Sequence, residues 1–293
     1  MHFDDRSLSV LVVIPARNSA RTIGPLLDSL AAQRGAPPFR VVVSDNGSTD
    51  DLSAEIVAAR KRCPNLELAC VDASDKGGAA HARNVGANSV ASRAILFCDS
   101  DDIVDAEWVG QLARGLEIYS GVGGRLDERV LNAEFSEQRT HASVDLPIGL
   151  NFLPYPIGTN CGVRREVWDA IGGYDESYTT GGEEVEFFWR LQLAGFSLGF
   201  IREAVVFYRH REDLGANLRR EFRHGVSSCK LFAQFKIHIQ SESLLSISRA
   251  WAGTILRLPL LVHPNKRLSV LRRGAHQLGQ VVGSVRFRVI HLA

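Results

Sequence analysis

The sequence predicts an α/β fold built on a mostly parallel sheet, and three observations lead there. Short β-branched runs alternate with longer amphipathic stretches through the first hundred residues. The runs are nearly continuous in Val, Ile and Leu, as expected of strands covered by helices on both faces. They end in polar clusters, and in such sheets ligands bind beyond the carboxyl ends of the strands.

Strands are expected at Ser9–Ile14, Arg40–Ser44, Leu66–Val71 and Ala94–Cys98, with helices over Ala20–Gln33, Asp51–Arg62 and Gly78–Asn88 between them. Another helix is expected at Asp105–Leu116. From about Gly121 to Asn160, Gly, Pro and polar residues suggest strands joined by longer loops that could include a flap. Helical periodicity resumes at Arg165 and breaks at Gly172-Gly173. It returns from Glu183 to Ala194 and stops at Gly195, which suits a C′ glycine. A strand pattern covers Ala204–Tyr208. Beyond Asp213 the pattern is helical, with Leu218, Phe222, Val226 and Cys229 on one face and Ile247, Trp251, Leu258 and Leu261 on a later one. The expected division is a ligand-binding body at 1–213 and a basic amphipathic helical region at 214–293.

The composition, 45% hydrophobic and 23% charged, is that of an ordinary globular protein. A net charge of +1 gives no reason to expect nucleic acid as a partner. The charge is unevenly spread. Residues 1–201 hold 18 Lys/Arg against 28 Asp/Glu, and the rest hold 16 against 5. Such a basic tail either faces phosphates or a membrane surface, or packs on the acidic body. Five scattered cysteines without a CxxC pair read as small hydrophobes in a reducing compartment. The acidic start Met1-His2-Phe3-Asp4-Asp5 is unlike a signal peptide, and the Leu8–Ile14 run ends at Pro15 as a buried strand would. No stretch approaches the roughly 20 apolar residues needed to span a bilayer. A cytoplasmic location is therefore expected.

Three clusters carry candidate chemistry. Asp99-Ser100-Asp101-Asp102 follows a strand. Carboxylates so close repel unless a cation or hydrogen bonds compensate, and a hard divalent ion completed by substrate phosphates is one solution. An acidic cap on the next helix is the other. Lys76-Gly77-Gly78 opens a helix of small residues that reaches Arg83, where a phosphate could approach backbone and meet a forked cation. The same residues equally allow a helix to pack closely on the sheet. Gly181-Gly182-Glu183-Glu184-Val185-Glu186 offers either a general base on a hinged loop or acids favourable to a helix N-terminus. No GxGxxG follows the first strand, which counts against a nicotinamide dehydrogenase.

Taken in order, VVIPARN, VVVSDNGSTD, KGGAAHARN, ILFCDSDD, GTNCGVRREVWDAIGGYDE and GGEEVEFFWRLQLAG resemble the family 2 glycosyltransferases over residues 8 to 211. The resemblance implies the GT-A fold: a Rossmann-like, mostly parallel central sheet flanked by helices, here with a helical C-terminal extension. It also implies roles. Pro15 and Arg17 would border a nucleobase pocket, Asp45 would hydrogen-bond the base, and Lys76 and Arg83 would hold the donor. Asp99 and Asp101 match the DxD motif, Asp99 towards the ribose and Asp101 on Mn²⁺ or Mg²⁺. Asn46 stands where the family often has a second Asp and is expected only to shape its turn. Glu184 falls where the family has the Asp of an ED pair, which leaves the general base open between Glu183 and Glu184. His210 matches a metal or diphosphate contact.

The implied reaction is transfer from a nucleoside-diphosphate sugar, a UDP-sugar first, to a hydroxyl of a glycan or lipid-linked acceptor, with inversion. A nucleoside diphosphate leaves slowly unless its charge is stabilised, and a hydroxyl needs a base. The QxxRW motif of processive synthases is missing from the sequence, so single transfers are expected. The alternatives are a sugar-nucleotide pyrophosphorylase, which would want a basic Gly-rich loop after the first strand, and a non-catalytic binding module of the same fold.

Overall fold

The computed structural model describes residues 10–132, 142–179, 181–210, 213–241 and 243–292. Ser9, the first residue of the first expected strand, lies outside them, as does the 133–141 part of the expected flap region. The chain divides into two compact units. One is Met1–Pro147, Pro154–Thr179 and Glu183–His210; the other is Ile148–Leu153, Thr180–Gly182 and Arg211–Ala293.

The first unit is built on strands β1 (Val10–Ala16), β2 (Phe39–Asp45), β3 (Leu68–Asp72), β4 (Ala94–Phe97), β5 (Ile103–Val104) and β6 (Gly121–Asp127). Short strands β7 (Ile148–Gly149) and β8 (Leu153–Pro154) form a separate ribbon, and β9 (Cys161–Arg164) and β10 (Leu198–Phe207) complete the main sheet. Its order is β3-β2-β1-β4-β9-β6-β10-β5. The β1–β2, β2–β3 and β1–β4 pairs are parallel, whereas β9 runs antiparallel between β4 and β6. Interleaved with the strands are α1 (Ile23–Ala31), α2 (Leu52–Arg62), α3 (Ala79–Asn88), α4 (Trp108–Ile118), α5 (Arg165–Ile171) and α6 (Glu183–Leu193).

Both faces of the sheet are buried at its centre, which explains why β1 has no polar alternation. Val10, Val12 and Ile14 join a core with Leu26, Leu27, Ile56 and Leu112. Leu11 and Val13 join a second core with Ala80, Val167, Phe187 and Leu191. α3 lies so near the sheet that a Cβ on Gly86 would fall 2.5 Å from Val13 Cγ1. β10 begins six residues before the expected strand, because a register shift between Ile201 and Val205 interrupts its period around the exposed Arg202 and Glu203.

In the second unit, the Asp213 carboxylate accepts the Ala216 N–H and caps α7 (Leu214–Phe235). α7 packs against α9 (Pro264–Phe287) almost backbone to backbone: a Cβ on Gly225 would fall 2.0 Å from the His276 carbonyl oxygen. Arg272 donates to Glu221 Oε1 through Nη2 at 2.6 Å and Nε at 3.0 Å, tying the two helices together. Between them come α8 (Leu244–Ile255), capped by Ser243, and a 3-10 turn at Leu258–Val262. Leu258 and Leu261 therefore leave the face expected to join them to Ile247 and Trp251, and both are exposed.

The expectation that nothing here is apolar enough for a bilayer is corrected. Leu244–Val262, 19 residues with a hydropathy of 1.2, meets the length and composition of a membrane span. Arg249 and Arg257 divide it into shorter runs, so it does not stand out as an unbroken apolar stretch. α8 alone has 12 residues. At 1.5 Å per residue it extends about 18 Å, short of a hydrocarbon core of about 30 Å.

Candidate active site

Topology assembles the site from segments far apart in sequence. In the β1–β2 register Ala16 is opposite Asp45, so the turns carrying Pro15, Arg17 and Asp45 leave the sheet side by side. Arg17 is exposed. Asp45 Oδ1 accepts the Ser48 N–H at 2.9 Å, which closes the turn. Asn18 holds the neighbouring loop at φ +53°, with its side-chain oxygen accepting the Thr49 N–H at 2.7 Å.

Asn46 does more than shape its turn. It is buried, and its Nδ2 donates to the carbonyls of Ala73 at 2.6 Å and Lys76 at 2.7 Å. Its Oδ1 accepts the Gly78 N–H at 2.8 Å. One amide thus fixes the loop that opens α3, and an Asp, with no donor, could not make both carbonyl contacts. Gly78 enters the helix at φ +134°, a conformation open chiefly to glycine.

Lys76 Nζ lies 2.7 Å from Glu176 Oε2. Asn84 Nδ2 reaches Glu176 Oε1 at 3.0 Å and His81 Nδ1 lies 3.1 Å from it. Burial would raise the Glu176 carboxyl, but Lys76, Asn84 and His81 overrule it and hold it down to about 2. Lys76 is therefore engaged by a carboxylate at the entrance to α3.

The centre is Arg83. It is 4% exposed, donating from Nη1 to Glu183 Oε1 at 2.8 Å and from Nη2 to Asp99 Oδ1 at 2.7 Å. Burial opposes its charge, yet Asp99 and Glu183 hold it above the ordinary range. The Tyr174 ring centroid lies 5.8 Å from its Cζ, and a Cβ on Gly158 would come 3.1 Å from Nη2. Arg83 thus binds two of the expected site carboxylates and fixes their positions.

The acidic cluster lies where β4 ends. Because Phe97 pairs with Cys161, residues 98–102 leave the sheet beside residues 158–160. Thr159 makes use of that proximity: its Oγ1 accepts the Asp99 N–H at 3.1 Å and donates to Asp102 Oδ2 at 2.5 Å. Asp102 is fully buried and also accepts the Arg209 N–H at 2.8 Å. Burial first, then the charges of Asp101 and Asp99, push its carboxyl well above the usual range. Oxygen atoms of Asp99, Asp101 and Asp102 all lie within 4.8 Å of one another, with Asp99 and Asp101 partly exposed. Oxygen donors in mutual repulsion fit a hard divalent cation. Asp101 would hold it together with Asp99, which this grouping moves from the expected ribose contact to the cation, while Asp102 braces the turn.

His210 is not part of that carboxylate group. Its N–H donates to Asn132 Oδ1 at 2.7 Å, and its Nε2 is 3.5 Å from Glu128 Oε2.

The three acids opening α6 have separate surroundings. Glu186, 1% exposed, pairs with Arg190 at 2.6 Å, and Arg190 also donates to the Ile171 and Gly173 carbonyls, bracing the end of α5. Glu183 is buried against Arg83. Glu184 is half-buried; desolvation first and the Glu183 charge next push it up to about 7, with Arg83 pulling the other way.

The family model described as glycosyl transferase family 2 matches residues 11–172, more than half the chain. The chain belongs to glycosyl transferase family 2. A second model, glycosyl transferase family group 2, matches residues 94–273. The family 2 chain is 28% identical over 239 residues to the pre-mycofactocin glycosyltransferase of Mycobacterium tuberculosis, an alignment covering 76% of this chain and 47% of that protein. It is 36% identical over 124 residues to the poly(ribitol-phosphate) beta-N-acetylglucosaminyltransferase TarS of Staphylococcus aureus, covering 39% of this chain and 21% of TarS. The chain thus spans about half the length of these relatives or less. Among solved structures it resembles the mannosyltransferase PcManGT from Pyrobaculum calidifontis, in complex with GDP-Man and Mn²⁺, with a TM-score of 0.68 at 18% identity over 95% of this chain and 88% of that one. TarS 1-349 in complex with UDP-GlcNAc gives 0.56 at 16% identity over 97% and 93%. At such identities the likeness concerns the fold, which is GT-A.

Proposed function

We propose that this family 2 glycosyltransferase transfers a sugar from a nucleoside-diphosphate donor to a hydroxyl with inversion, one residue at a time, using Mn²⁺ or Mg²⁺. The observation that carries the reading is the linked arrangement Asp99–Arg83–Glu183, with Asp101 on one side and Glu184, raised to about 7, on the other. A divalent cation on Asp99 and Asp101 would supply Lewis-acid stabilisation of the leaving diphosphate.

The chain's own residues divide the remaining work. Asp45 and Arg17 border the base, and Arg83 holds Asp99 and Glu183 in place. Glu184 takes the proton of the acceptor hydroxyl, since a base titrating near the working pH is the most effective. A single displacement with that base opposite the leaving group inverts the anomeric carbon. The complexes of neighbouring folds with GDP-Man and Mn²⁺, and with UDP-GlcNAc, support this donor class, with a UDP-sugar the first choice. The acceptor belongs to cell-envelope glycan or glycolipid synthesis. The enzyme works in the cytoplasm, in peripheral contact with the inner face of the membrane through its basic C-terminal helices.

The test is an acceptor-free and acceptor-supplemented assay over a panel of nucleotide sugars, with Mn²⁺ or with chelator. NMR of the anomeric proton in the product reports the stereochemistry. Metal-dependent nucleotide release with an inverted product is expected. Retention, or release that chelator leaves unchanged, would overturn the mechanism; no release with any donor would favour a binding module.

A further inference from the structure

In the C-terminal unit, α7 and α9 leave between them a groove of about 520 Å³. That is within the roughly 300–1,000 Å³ span of small-molecule sites. Phe222 and Val226 of α7 and Leu278 and Val282 of α9 line it with carbon, and Arg219, Arg223 and Arg286 add three cations. No carboxylate is among the lining residues. Leu278 is 58% exposed and Val282 47%, an apolar wall without cover. Arg219 has Asp213 at 3.7 Å, but both side chains are largely in water, where such a pair is weak.

We infer that this groove seats one chain of an anionic lipid, with Arg219, Arg223 and Arg286 taking its headgroup phosphate. Carbon walls beside guanidinium groups complement an amphiphile that is apolar along its length and anionic at one end. The rest of the unit favours a lipid over an acidic peptide. Residues 243–293 contain eight Lys/Arg and no Asp/Glu. Leu244, Leu256 and Val262 are about four-fifths exposed, a second uncovered apolar surface. A symmetric second copy fits poorly, because a two-fold contact would set the same three arginines against each other. The inference rests on the proposed membrane contact but names a discrete site within it.

The full chain is titrated calorimetrically with short-chain phosphatidylglycerol below its micellar concentration, in parallel with the matching phosphatidylcholine and with inorganic phosphate. Saturable one-to-one binding of phosphatidylglycerol is expected, with phosphate and phosphatidylcholine at least about tenfold weaker. Arg223→Gln and Arg286→Gln should each weaken it about fivefold, on the scale of one surface cation at an anionic lipid. Leu278→Asp should abolish it with the circular dichroism spectrum retained, whereas Leu256→Asp, at the exposed residue that follows α8, should leave it intact. Equal binding of phosphate, or indifference to the arginine and Leu278 variants, would overturn the proposal. So would a lipid-free dimer that Leu278→Asp dissociates. Flotation on phosphatidylglycerol vesicles separates the two readings. Flotation without monomer binding removes the groove and keeps membrane contact; monomer binding without flotation keeps the groove and removes membrane contact.

Discussion

Glu183 and Glu184 are adjacent carboxylates with different neighbours. Glu183 is buried against a guanidinium, while Glu184 is half-buried and pushed up to about 7 by desolvation and by Glu183. A base must be ionised to accept a proton, so the rate of transfer should rise as pH rises through about 7. Glu184→Gln should lower turnover by roughly 100-fold or more and leave what remains nearly independent of pH. Steady-state rates from pH 5 to 9 check both outcomes. The same shift has a sign in stability. The unfolded chain releases this proton near the ordinary 4.5 and the folded chain near 7, so folding weakens as pH rises between them. Denaturant midpoints should show Glu184→Gln losing that part of the decline. Asn46 offers a second test at this scale: Asn46→Asp puts an acceptor opposite the Ala73 and Lys76 carbonyls and should cost about 1–3 kcal/mol in urea unfolding. The sequence marked Arg83, Glu183 and Glu184 as candidates but did not reveal how they pair. Arg83 and Glu183 are a hundred positions apart, and Thr159 meets Asp102 across 57. Nothing local in GTN marks Thr159 as the brace of an acidic turn.

The strands and helices were legible where burial leaves a period. β1 to β4 and α1 to α3 follow the expected runs to within a few residues, because β1, β2 and β4 are buried on both faces and each helix on one. The period fails at the β10 bulge, where Arg202 and Glu203 break the pattern, and beyond Ile255, where α8 gives way to a 3-10 turn. β9 could not be read as antiparallel, since direction is a property of pairing. Its insertion beside β4 nonetheless brings Thr159 to Asp99. At this scale α3 depends on Gly86 for its approach to the sheet. Gly86→Val should destabilise the first unit by about 1–3 kcal/mol through overpacking against Val13, measured by urea denaturation. An unchanged midpoint would mean that α3 has room the structure does not show.

At the scale of the whole molecule, the chain joins an acidic GT-A unit to a basic helical one. The asymmetry of charge is plain in the sequence, but the apolar segment beside it is not, because two arginines divide Leu244–Val262. The account as a whole turns on whether Asp99 and Asp101 hold a divalent cation for the donor diphosphate. Calorimetric titration of UDP into the wild type and Asp101→Asn, each with Mn²⁺ and with chelator, tests this most directly. The account predicts binding that Mn²⁺ strengthens at least tenfold in the wild type, no such gain in Asp101→Asn, and an unchanged circular dichroism spectrum. Metal-strengthened binding that persists in Asp101→Asn would contradict it.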